Sequence, residues 1–194
     1  LIPGTLREPT EDPKKFYNTL LFIDSNGKVL TQYRKIFLYK ADLPDRSYDE
    51  TEYSKPGDEL VTLQWRGHNL GFSICFDLRF PELFRSLKKR GAQIVFVPAA
   101  FTVPTGQAHW EILLRARAIE NQIFILAPGL TGTSGDGADK YGHSLAITPW
   151  GEVLADLKKE EGFKTLEINL SEITKAEKKV PAWNCRRDEL FKFS

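Results

Sequence analysis

The chain contains no methionine, two cysteines and three histidines among its 194 residues. Each scarcity excludes a class of protein. Cys75 and Cys185 stand far apart with no CxxC pair, which is neither a disulfide framework nor a zinc pattern. His68, His109 and His143 are scattered without ligand spacing, so no metal and no cofactor are expected. No sign of charge dominates, with 27 Lys and Arg against 26 Asp and Glu. No basic patch alternates with aromatics, so nucleic acid is not an expected partner. No apolar run reaches membrane-spanning length and no signal peptide is visible, so no membrane association is expected. Isolated thiols suit a reducing compartment, the cytoplasm or alternatively the mitochondrion. The chain opens on Leu1-Ile2-Pro3-Gly4 without an initiator Met and is expected to be a fragment of a longer protein.

What is present suffices for one domain spanning 1–194, since 41% of the residues are hydrophobic. Phe16 to Asp24 and Val29 to Ile36 read as paired strands around the turn Ser25-Asn26-Gly27-Lys28. Residues 40–58, with Pro44, Pro56 and Gly57, read as a long loop, and such loops are usually functional. Leu60 to Trp65 and Asn69 to Cys75 form a second hairpin around Arg66-Gly67. A helix is expected from Pro81 to Arg90, with Pro81 in its first turn and Gly91 capping its end. Ile94 to Val97 and Ile123 to Ala127 are short apolar strands, as when both faces are covered. Pro98 to Gly106 is a loop of small residues. Gln107 to Asn121 reads as a helix with an apolar stripe at Ile112, Ala116 and Ile119 and a Glu111–Arg115 pair. Gly129 to Tyr141 is Gly-rich and expected to be flexible. Strands are expected over Ser144–Thr148, Val153–Asp156 and Lys164–Asn169, then a helix over Ser171–Lys179 capped by Ser171. This order argues for α/β layers with helices on a mixed sheet.

The stretch Gly71-Phe72-Ser73-Ile74-Cys75-Phe76-Asp77-Leu78-Arg79-Phe80-Pro81-Glu82 reads as an apolar strand ending on a cysteine and turning into a helix. A thiol there is a nucleophile site or a small core hydrophobe. The segment resembles the nucleophile motif of the nitrilase superfamily, the carbon–nitrogen hydrolases. Tyr33-Arg34-Lys35-Ile36-Phe37-Leu38 resembles the family's lysine motif. Phe101 to Gly106, His109-Trp110-Glu111 and Arg115 to Asn121 resemble its substrate loop and following helix. Tyr141-Gly142-His143-Ser144 and Pro149-Trp150-Gly151-Glu152 also match, in order along nearly the whole chain. Nitrilases proper usually carry Trp-Glu after the cysteine; Phe76-Asp77 here resemble instead the Nit-type amidase branch, which includes deaminated-glutathione amidase and omega-amidase.

The resemblance implies an α-β-β-α sandwich, here lacking its first strands and helices, that usually pairs through its helical face as a homodimer or larger homo-oligomer. It implies hydrolysis of a small linear amide, such as an α-keto acid amide like deaminated glutathione, through a cysteine acyl-enzyme. Cys75 would be the nucleophile, with a thiol ionising well below the free value of about 8.5. Lys35 and the Phe76 N–H would stabilise the oxyanion. Glu50, with Glu52 as fallback, would orient Lys35. The family's basic glutamate is expected upstream of the chain; Glu8 and Glu11 read as ordinary loop carboxylates. Phe37 stands where relatives often carry His. Arg79 would pair with a substrate carboxylate, or lock Asp77 or Glu82 in an ion pair. Thr102, Thr105, His109 and Trp110 are candidate pocket residues, with helix packing the alternative for Trp110. Glu120 is expected to pair with an arginine, and Cys185 to be structural. Two other readings compete: a catalytically impaired fragment or pseudoenzyme that binds a partner chain, and a hydrolase using Cys75 with His109 or His143.

Overall fold

Turns decide the strand pairing of the N-terminal half. Thr5–Pro9 (β1) pairs antiparallel with Phe16–Ile23 (β2), which pairs antiparallel with Val29–Arg34 (β3). Between β2 and β3, Asp24 accepts the Asn26 and Lys28 amides at 2.8 and 2.9 Å, and Gly27 takes φ +80°. This side-chain turn closes the hairpin where the sequence places it. Glu8 is not a loop carboxylate. It sits on β1, accepts from Thr19 at 2.7 Å, and forms an ion pair with Arg34 at 2.5 Å. The computed structural model describes residues 1–43, 46–135 and 137–191; the expected loop residue Pro44 lies outside them.

The expected long loop contains structure of its own. Lys40–Asp42 (β4) pairs with Ser47–Asp49 (β5), and a 3-10 turn comes next at Glu50–Glu52. Thr62–Trp65 (β6) and His68–Phe72 (β7) form the second hairpin. Arg66 and Gly67 hold φ +50° and +80° there, the left-handed pair that suits the twist of a two-residue hairpin. Helix α1 (Pro81–Lys89) connects β7 to the parallel strand Ile94–Phe96 (β8). The next connection is a single turn, α2 (Val103–Thr105), a π-turn at Gly106–Trp110, then α3 (Glu111–Asn121). It leads to Phe124–Ala127 (β9), parallel to β8.

The Gly-rich stretch is a hairpin of Thr131–Thr133 (β10) and Asp139–Tyr141 (β11). Leu145–Ile147 (β12) and Val153–Asp156 (β13) complete a six-stranded sheet of order β13-β12-β9-β8-β7-β6. Residues 164–169 form no strand. Helix α4 (Ser171–Lys179) is next in the chain; Leu170 occupies its N-cap, and Asn169 rather than Ser171 supplies the side-chain acceptor, taking the Ser171 N–H at 3.0 Å.

Two apolar clusters lie on the two sides of the large sheet. Leu83, Phe84 and Leu87 of α1 and Leu114 and Ala118 of α3 pack on Val95, Ile125 and Ile147. On the other side Leu20, Phe22 and Tyr33 of the three-stranded sheet meet Leu70, Phe72 and Ile74. Successive strand residues face opposite layers, so Val95 goes to the helices and Phe96 to the second sheet. Helices, six-stranded sheet and three-stranded sheet thus form three layers among the described residues.

Helix α3 turns a different face inward from the one its apolar spacing predicts. Leu114, Arg117, Ala118 and Asn121 are buried, while Ile112 is 67% and Ile119 48% exposed. The reason is hydrogen bonding. Arg117 Nε donates to the Leu78 carbonyl and Asn121 Nδ2 to the Arg117 carbonyl, each at 2.9 Å, so two polar side chains sit in the core with partners. The Glu111–Arg115 pair forms at 3.4 Å, and Glu120 meets Arg117 at 3.2 Å. Cys185 is exposed, not structural. No helix among the described residues is long and apolar enough to cross a membrane.

Candidate active site

The parallel strands β7, β8 and β9 end on one edge of the sheet, and crevices beyond such carboxyl ends are where α/β sheets place ligands. Strand β7 stops at Phe72, three residues before the cysteine, and Cys75 opens a 3-10 turn over Cys75–Arg79. Its φ is +50°, a left-handed backbone that a side-chain-bearing residue adopts only when its surroundings impose it. Its amide donates to the Pro98 carbonyl at 2.9 Å, tying the turn to the chain leaving β8.

A cleft of about 240 Å³, its open mouth included, lies against Cys75. Phe76 and Arg79 come from the same turn; Ala100, Phe101, Thr102 and Thr105 come from the segment after β8; Tyr39 comes from the segment after β3. The Thr102 and Thr105 hydroxyls meet at 2.8 Å. Gly106 lets this segment close down, because a Cβ there would lie 2.1 Å from the Tyr141 ring.

Lys35 comes directly after β3 and is 2% exposed. Its ammonium is ion-paired with Glu50, which also accepts the Tyr39 amide at 2.6 Å. Gly57 makes this possible: a Cβ would lie 2.4 Å from the Arg34 carbonyl, and its amide donates to the Lys35 carbonyl at 2.8 Å. Glu52, the fallback, lies on the exposed side of the turn. Burial pushes the Cys75 thiol up, while the Lys35 charge and the Ala100 amide pull it back. The net direction is upward, which corrects the expectation of a strongly acidic thiol: desolvation of the thiolate outweighs the one cation beside it.

Asp77 is fully buried and anchors the site in a way the sequence does not reveal. It accepts from the Tyr33 hydroxyl at 2.6 Å, the Phe37 amide at 2.9 Å and the Ile74 amide at 2.8 Å. One carboxylate thereby joins the lysine segment to the cysteine turn. Burial raises it to about 6, against the pull of those three donors and of Lys35. It makes no ion pair with Arg79, nor does Glu82 among the described residues. The Arg79 guanidinium instead lies 5.6 Å from both the Phe76 and Phe101 rings, with one nitrogen 3.3 Å from His109 Nδ1.

Like Lys35 and Glu50, the remaining candidates are not among the residues that line the cleft. Trp110 is 1% exposed, packs its ring against Phe101 and donates its indole N–H to the His143 carbonyl at 2.8 Å, so it is helix packing. His109 is exposed beside Arg79 and lines an open groove along α3. His143 stacks on Tyr141 and its Nδ1 faces Asp156 at 3.1 Å. Neither ring lines the cleft, and neither is among the groups that act on the Cys75 thiol, whereas Lys35 is. Phe37 stacks on Phe80 at 3.6 Å and is also off the wall. Tyr39, Ala100 and Phe101 are wall residues absent from the sequence-based candidates. Phe101 stands inside a matched block, whereas nothing in the sequence singles out Tyr39.

Residues 1–178 match the family model for carbon-nitrogen hydrolase. The chain is 42% identical over 181 residues to a deaminated glutathione amidase of Dictyostelium discoideum, covering 91% of this chain and 62% of that relative's length. The C. elegans NitFhit crystal structure superposes with a TM-score of 0.91 at 39% identity, covering 99% of this chain and 47% of that one. A mutant of the amidase from Nesterenkonia sp. AN1, showing covalent addition of the acetamide moiety of fluoroacetamide at its active-site cysteine, superposes with a TM-score of 0.79 at 31% identity. That likeness covers 96% of this chain and 64% of that one. The chain thus spans under two thirds of these relatives' lengths and carries the family's sequence over nearly all of its own. It belongs to the carbon-nitrogen hydrolase family.

Proposed function

We propose that the cleft hydrolyses the carbon–nitrogen bond of a small linear amide through Cys75, with amides of α-keto acids as the substrate class, in a reducing compartment. The observation that carries this is the buried Lys35–Glu50 pair acting on a thiol at the cleft wall. A buried ammonium is costly unless paired, and here its field favours the thiolate, the form that attacks.

The thiolate adds to the amide carbon, and the carbonyl electrons move onto oxygen. The Lys35 ammonium and the Phe76 N–H stabilise that oxyanion. Collapse breaks the carbon–nitrogen bond; Lys35 delivers a proton to the departing nitrogen, leaving a thioester on Cys75. Water then attacks the thioester, releasing the acid and the thiol. Glu50, committed to Lys35 and the Tyr39 amide, orients the ammonium. Arg79, between two aromatic rings and without a carboxylate partner among the described residues, suits a substrate carboxylate. The named relative, an amidase of deaminated glutathione, supports the same substrate class.

The test is ammonia release from α-keto acid amides. Cys75→Ala lowers the rate at least about 10⁴-fold, and Lys35→Ala about 10²- to 10³-fold. Death of the His143→Ala or His109→Ala enzyme with Lys35→Ala tolerated would instead identify a Cys–His hydrolase.

A further inference from the structure

Tyr39 is a wall residue whose hydroxyl makes no hydrogen bond of normal geometry among the described residues. Its backbone is fixed from both sides by Glu50: the Tyr39 amide donates to the Glu50 carboxylate at 2.6 Å, and the Glu50 amide donates to the Tyr39 carbonyl at 2.8 Å. Its ring is wedged between Tyr48 and Phe76, with centroids 5.3 and 5.2 Å away. With main chain and ring both held, the direction of the hydroxyl is set.

That hydroxyl is buried and has no hydrogen-bond partner among the described residues, while the residue lines the Cys75 cleft. Thr102, on the same wall, is a hydrogen-bonding contact of the phenol that favours its ionised form although it lies outside normal hydrogen-bond geometry, and its oxygen also meets Thr105 at 2.8 Å. Burial is the larger effect and pushes the phenol up, so at neutral pH Tyr39 presents an O–H donor. A buried donor without an acceptor is unfavourable, and a ligand that supplies the acceptor relieves the cost. Hydrocarbon cannot do this. An oxygen can.

We propose that the Tyr39 hydroxyl donates a hydrogen bond to an acceptor oxygen on the substrate's acyl chain, so that the site selects oxygen-bearing acyl groups over plain hydrocarbon ones. Two oxygens fit this chemistry, a ketone beside the scissile carbonyl and a carboxylate at the far end of the chain. The inference rests on the amidase reading for its turnover arm only.

The experiment compares wild type with Tyr39→Phe, which keeps the ring and removes the oxygen. The probes are butanamide, 2-oxobutanamide and succinamate. Wild type prefers the oxygen-bearing amides, and in Tyr39→Phe the ratio of kcat/KM for one of them over butanamide falls about tenfold. The probe whose ratio falls identifies the oxygen. Equal scaling of all three amides, or no change in any, overturns the proposal.

A second arm needs no turnover. The probes protect Cys75 from iodoacetamide, read by mass spectrometry on the Cys75 peptide so that exposed Cys185 does not interfere. In Tyr39→Phe the protective concentration of the oxygen-bearing amide rises about tenfold relative to butanamide. Unchanged relative protection overturns the Tyr39 inference. Absent ammonia release from every amide, with Tyr39-dependent protection intact, overturns the amidase reading alone.

Discussion

Two buried charged side chains act on the cysteine turn, and each has a pH signature. Lys35 is the cation that pulls the Cys75 thiol back against its desolvation. Lys35→Ala removes that pull, so the pH profile of Cys75 alkylation moves further up; a profile that stays or moves down would show that the ammonium does not face the sulfur. Asp77 carries the opposite kind of information. Its carboxyl titrates at about 6 when folded and near 3.9 when unfolded. The folded state therefore binds this proton more tightly. The stabilisation is complete below about pH 3.9 and is lost as pH rises through 6, a change of about 3 kcal/mol. Asp77→Asn abolishes this component, so the denaturant-derived stability of the variant falls less between pH 4 and 8 than that of wild type. A variant slope as steep as the wild type's would place the titration elsewhere.

The elements matter through where they end. Three parallel strands deliver their outgoing segments to one edge. The segments leaving β7 and β8 build most of the cleft, and Tyr39 joins them from beyond β3. The π-turn before α3 depends on Gly106 lying flat on Tyr141. Gly106→Ala forces the Tyr141 ring away, a steric change of about 2 kcal/mol, and lowers Tm by about 4–8 °C. An unchanged Tm would mean that β11 shifts freely. Elements were legible where a local rule suffices. The Asp24 turn, the Arg66-Gly67 hairpin and Pro81 at the start of α1 each act within a few residues. The hairpins β4–β5 and β10–β11 were not, because three-residue strands carry too little alternation to stand out from loop composition.

At the scale of the molecule, α3 leaves apolar side chains uncovered among the described residues. Ile112 and Ile119 of α3 are exposed, together with Trp150, 46% exposed, in the turn before β13. The family resemblance implies pairing through a helical face, and pairing through this one would bury Ile112 and Ile119. Ile112→Glu then shifts the sedimentation mass toward the monomer, whereas an unchanged mass would exclude this face as the interface. The stripe that the periodicity assigned to the core is a real apolar stripe facing outward; amphipathic spacing reports that a face seeks burial, without saying against what.

By itself the sequence determined the Asp24 and Arg66-Gly67 turns and the start of α1, because these depend on local backbone preference, and its short blocks nominated Cys75, Lys35 and Glu50 through their family resemblance. Tertiary structure decided that Lys35 is buried, that α3 turns Arg117 and Asn121 inward, that Asp77 clasps Tyr33 and Phe37 across 44 and 40 residues, and that Tyr39 reaches the thiol's cleft. Such long-range hydrogen bonds leave no period in the chain. They exist only once packing has removed water from both partners and made each the other's remaining choice.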